Sequence, residues 1–114
     1  LPDGKTPHEM IFKGAPLLDW EMDIAWVIRG GADPIKLIKK YAGNITAAHI
    51  KDIAPKGKNA DEDGWADVGH GTVDWKPIMA ALKKTRVRHF VLEHDKPSNT
   101  KRFAERSFVA ASKL

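Results

Sequence analysis

Three short apolar runs, each followed by helix-starting punctuation, constrain this chain more than any other feature. Leu17–Ile24, Ile45–Ile50 and Arg88–Glu93 have the length and apolar character of strands. Helical patterns separate and flank them. Thr6-Pro7-His8-Glu9 is a capping box with proline at the first helical position, predicting a helix from Pro7 to about Lys13 that Gly14-Ala15-Pro16 ends. A short helix around Trp26–Arg29 stops at Gly30-Gly31. Asp33-Pro34 starts another, with Ile35, Leu37, Ile38 and Tyr41 as its apolar face up to Gly43. Asp74 is the expected cap of a helix through about Lys84 carrying Trp75, Ile78, Met79 and Leu82. The last helix is expected over Asn99–Ser112, with Phe103, Ser107, Phe108 and Ala111 on one face.

Strand, helix, strand, helix, strand, helix is the signature of right-handed parallel βα units, so the fold class is α/β. Three parallel strands leave two open edges and cannot cover both faces of their sheet. With 114 residues against the roughly 250 of a closed eight-stranded barrel, a single domain over 1–114 is expected to depend on a preceding segment or on further copies of itself. A first residue other than methionine agrees with a piece of a longer chain. Residues 52–72 form a long polar stretch of the kind that serves as a lid or binding segment, or else stays disordered.

Composition narrows the chemistry. The chain has no cysteine, so disulfides and thiolate metal sites are excluded, and any metal is held by carboxylates, imidazoles and carbonyls. A reducing, cytoplasmic setting is expected, since no apolar run is long enough to span a bilayer and no leader pattern opens the chain. The net charge of +4 is spread along the sequence rather than gathered into one arm with interleaved aromatics. That distribution favours a solvated basic surface over a nucleic-acid footprint.

Each expected strand ends in a potential ligand: Asp23, His49 and Glu93. Alone, each is more often a cap, a surface charge or a hydrogen-bonded histidine. Three at equivalent strand ends, on the edge where α/β barrels place their sites, make an oxygen-rich set with one imidazole. Such a set suits Mn²⁺ or Mg²⁺, with Co²⁺ or Zn²⁺ as alternatives.

Four segments together, Trp20–Pro34, His49–Asp52, Val68–Trp75 and Phe90–Asp95, resemble the C-terminal portion of sugar-phosphate isomerases/epimerases of the xylose-isomerase-like barrel superfamily. The resemblance implies a partial barrel made of the last three βα units. It implies a divalent cation, Mn²⁺ foremost, held by Asp23, His49 and Glu93. It also implies proton transfer beside a carbonyl of a sugar or sugar phosphate through an enediolate-like intermediate, with Glu93 as the acid/base. A further glutamate ligand of that family comes from a strand this chain does not contain, so the chain alone is expected to bind metal weakly and not to turn over.

Substrate contacts are expected at Trp26, Lys51 and His70. Asp52 is a further candidate, Trp65 a second apolar wall, and His94 and Asp95 partners of the ligands. The bland readings are a solvent-facing Lys51, a tight turn around His70 and ordinary packing of the tryptophans. Related ketose epimerases and barrel-type repair endonucleases often carry histidine three residues beyond the metal-binding aspartate, where this chain has Trp26, which argues against a DNA substrate. Two other readings stay open: dehydratase or lyase chemistry beginning with the same proton abstraction, and a non-catalytic, self-assembling barrel fragment.

Overall fold

The computed structural model describes residue 1 and residues 4–114. Helix α1 (Pro7–Gly14) begins at the expected capping box: the Thr6 hydroxyl accepts from Glu9 N, and the Glu9 carboxylate accepts from Thr6 N at 2.8 Å. Phe12 of this helix packs with Trp20 and Tyr41, at ring-centroid distances of 5.7 and 4.9 Å. No residue of α1 is fully buried, so the cap holds the helix together with the Phe12 contacts and the Lys40–Glu9 ion pair at 2.6 Å. Thr6→Ala should cost α1 about 1 kcal/mol, read as a roughly fivefold rise in amide exchange within the helix. Unchanged exchange would show that the cap contributes little.

Strand β1 (Trp20–Asp23) is shorter than expected. Leu17 is 94% exposed, and the Asn44 side chain donates to the carbonyls of Pro16 and Leu18, both at 2.9 Å, which shapes the approach as a turn. Pairing begins only where Trp20 N donates to Asn44 O. At its other end β1 passes directly into α2 (Ile24–Arg29), because Asp23 caps that helix: its Oδ1 accepts from Trp26 N at 2.9 Å. Helix α3 (Pro34–Lys40) is capped by Asp33 as expected, through Ile35 N and Lys36 N.

Strand β2 (Ile45–Ile50) has the expected bounds. It is the middle of a parallel three-stranded sheet with order β1-β2-β5, where β5 is His89–Leu92. Asp23 lies beside His49, and His49 beside Val91. The chain is therefore a mixed α/β unit whose parallel sheet does not close into a barrel. Side chains alternate across a strand, so Met22, Ala48 and Ile50 share one face, where they are buried with Ile38, Tyr41, Trp75, Ile78, Met79 and Leu82. The opposite face carries Glu21, Asp23, Ala47, His49, His89 and Val91. It is open: Glu21, His89 and Val91 are all exposed.

The expectation of an unstructured stretch after β2 is overturned. Residues 52–72 contain β3 (Asp52–Ile53), a 3₁₀ turn (Ala60–Glu62) and β4 (Trp65–Ala66), with β3 and β4 antiparallel. Ala54, Glu62, Trp65, Ala66, Asp67 and Val68 are buried. The segment reads as polar because its carboxylates are used inside. Asp52 accepts from Ile53 N, Gly69 N, Val73 N and Trp75 Nε1 at 2.8–3.1 Å, while Glu62 and Asp67 are paired with Arg102. Asn59 and Asp63 adopt left-handed conformations, with φ of 51° and 54°, that these residue types tolerate.

Two smaller expectations also change. Asp74 occupies the cap position of α4 (Trp75–Leu82), but its side chain makes no capping hydrogen bond. On α5 (Thr100–Ala111), capped by Asn99, Ser107 is fully buried whereas Phe108 is 68% exposed. Ser107 Oγ accepts from Val68 N at 3.0 Å, so the inward stripe runs through Phe103 and Ser107 towards Ala110 and Ala111. Phe108, one step of about 100° further round the helix, points away. No helix among the described residues is long and apolar enough to cross a membrane.

Candidate metal centre

The carboxyl ends of the three parallel strands bring Asp23, His49 and Glu93 together, each offering a ligand atom within 4.8 Å of the others. Asp23 ends β1, His49 is the penultimate residue of β2, and Glu93 follows β5, held there as its N donates to Ile50 O at 3.2 Å. His49 Nδ1 stands 2.6 Å from Glu93 Oε2 and 3.5 Å from Asp23 Oδ2. The other ring nitrogen, Nε2, lies 3.0 Å from Glu21 Oε1. Oxygen-ligated divalent cations form bonds of about 2.0–2.6 Å, so ligands about 3–5 Å apart are spanned by one ion.

Lys51 extends β2 on the same side and enters the cluster. Its ammonium is 3.1 Å from Asp23 Oδ2, 3.0 Å from Glu93 Oε2 and 2.9 Å from Asp95 Oδ1, and the residue is 1% exposed. Burial acts to lower the Lys51 pKa, but its contacts with Asp95, Glu93 and Asp23 outweigh that effect and leave it above its ordinary value. The expected alternative of a solvent-facing lysine is thereby excluded. Lys51 Nζ also lies 4.7 Å from the centre of the Trp65 ring, against which Trp26 packs edge-on at 5.1 Å. Trp65 is buried, whereas Trp26 is 53% exposed and borders the cluster, a position open to a ligand.

Does this set suit a divalent cation? Glu93 Oε2 is buried and is approached by His49 Nδ1 at 2.6 Å and by the Lys51 ammonium at 3.0 Å. Two carboxylates and an imidazole whose tips converge are a donor set that a hard or borderline cation completes. The ammonium of Lys51 contacts the same two oxygens, and Asp95 remains to hold it when they are engaged elsewhere. The residues fit.

The other expected residues lie around or away from this point. Asp52 directs its carboxylate into the protein, onto the four donors already named, and is 1% exposed. It organises the loop. Gly69 and Gly71 allow close approach, but to the protein itself: a Cβ on Gly71 would collide with Asp52 Oδ1, and one on Gly69 would lie 2.6 Å from Ala110 Cβ. His70 between them is exposed and lines a cleft of about 630 Å³ with Glu105, Arg106, Val109 and Lys113. It makes no hydrogen bond or ion pair with Asp23, His49 or Glu93 among the described residues. His94 turns inward. Its Nδ1 accepts from Lys96 N at 3.2 Å, Nε2 lies 3.9 Å from Glu62 Oε2, and burial pushes its pKa down against the pull of Glu62 and Asp67. It partners the loop rather than the cluster, whereas Asp95 partners Lys51.

Glu21 was not among the expected site residues. The signal was present, since Glu21 stands two positions before Asp23 in a strand and so shares its face. No protein-family model, curated protein or solved structure matches this chain.

Proposed function

We propose that this chain is the closing part of a xylose-isomerase-like barrel, and that Asp23, His49 and Glu93 hold a divalent cation, Mn²⁺ foremost, in a cytoplasmic isomerase or epimerase of sugars or sugar phosphates. The open face and free edges of the sheet agree with further strands supplied by another segment or another copy. The reading is carried by one observation: three ligand atoms from three successive parallel strands lie within 4.8 Å of one another.

A divalent cation held there supplies Lewis-acid polarisation of a substrate carbonyl, which acidifies the neighbouring carbon. Glu93, just past the end of β5 and within the ligand cluster, is the carboxylate we assign to take a proton from that carbon and return it. Lys51 is held charged by its three carboxylates; with a cation engaging Asp23 and Glu93, it would keep Asp95 and turn its freed N–H groups towards a substrate oxygen. Trp26 offers an exposed indole against the apolar face of a sugar ring. His70, which lines the cleft beside α5, is assigned no part in this centre.

A second reading is favoured by Lys51 itself: its ammonium already neutralises the acidic cluster, which would then be a structural ion network. Calorimetric titration of the chain with Mn²⁺ separates the two. Saturable heat is expected for the wild type and none for His49→Ala, with unchanged far-UV circular dichroism. Absence of heat in the wild type would leave the structural network standing.

A further inference from the structure

We infer that Glu21 is the positioning residue of this centre, orienting His49 so that Nδ1 faces the cation; the inference rests on the metal-binding reading above. Glu21 and Asp23 project from the same face of β1. The register sets Asp23 beside His49 and Glu21 beside Ala47. Alanine at 47 is small enough for the Glu21 side chain to pass over it and reach the His49 ring diagonally, where Oε1 lies 3.0 Å from Nε2.

An imidazole has two nitrogens, and one that donates Nε2–H to a carboxylate presents its other nitrogen as a ligand. Here that other nitrogen, Nδ1, is the one directed at Glu93 Oε2 and Asp23 Oδ2. The Glu21 side chain is 54% exposed and that of His49 26%. A pair so open to water adds little to folding stability, so orientation of the ring is the effect left for it to exert. Glu21 also adds a negative charge beside a centre that must attract a cation.

The test combines Mn²⁺ affinity with the state of the imidazole. Paramagnetic resonance of free Mn²⁺ should show Glu21→Leu weakening binding about 10–100-fold. Glu21→Gln, whose amide oxygen still accepts from Nε2, should recover most of that loss. On the wild type, ¹⁵N resonances of His49 titrated with Zn²⁺ should show Nε2 protonated and Nδ1 bound, a readout that needs no variant to fold. Wild-type affinity in Glu21→Leu, or metal on Nε2, overturns the role of Glu21 while leaving the metal centre intact. A wild type that binds neither ion overturns the centre and this inference with it.

Discussion

Asp52→Ala is expected to lower the unfolding free energy by about 4 kcal/mol, enough to leave a small domain barely folded. The carboxylate is 1% exposed and accepts from three backbone amides and the Trp75 indole. Alanine leaves those donors without their acceptor at a buried position. Hydrogen bonds to a charged acceptor contribute about 1.5–3 kcal/mol each, but they share one group and do not simply add. Urea unfolding should show the midpoint falling with the slope unchanged. Asp52→Asn, keeping one carbonyl acceptor, should lie between wild type and alanine. A loss under about 1 kcal/mol in the alanine variant would mean that the loop is organised by something else.

Arg102→Met should cost about 3 kcal/mol, for a related reason. Its guanidinium reaches Glu62 Oε1 at 2.7 Å and Asp67 at 2.9 and 3.1 Å, and both carboxylates are nearly inaccessible. Methionine keeps the aliphatic stem and removes the charge. Among the described residues the Asp67 carboxylate then keeps Arg106, at 3.2 Å, and Glu62 keeps Ser98. The pH dependence carries a signature. The Ser98 hydroxyl first, and then Arg102, hold Glu62 at about 2, below its ordinary 4.5. Because the folded value is the lower one, this stabilisation is complete above pH 4.5 and drains away as pH falls towards 2. The acid limb of stability over that window should be steep in the wild type and shallower in Arg102→Met. Equal acid limbs would show that Arg102 does not set the Glu62 charge.

These two hubs explain where sequence reading stopped short. Asp52 reads as a candidate substrate contact and Glu62 and Asp67 as part of a polar loop, because nothing local announces that a carboxylate will be buried against donors from distant positions. Arg102 and Ser98 lie far along the chain from Glu62, and their pairing exists only once α5 has docked. Phe108 misled for the same reason. Hydrophobic spacing on α5 admits more than one inward stripe, and the meeting of Ser107 with Val68 selects between them. Strand β1 was drawn too long because Leu17 and Leu18 are apolar, while the side chain that turns them away belongs to Asn44.

Other features were legible because their causes are local. The capping box at Thr6, the Asp33-Pro34 start and the apolar run Ile45–Ile50 each determine their element through neighbouring residues, and the structure has all three. The alternation of elements determined a parallel sheet, and the acids and histidine at the strand ends followed from it. Whether those three tips meet was decided only by the register of β1, β2 and β5, together with the lysine that packs among them. Periodicity acts over a few residues along the chain, whereas register and buried charge pairing depend on groups that come together only when distant segments have already packed.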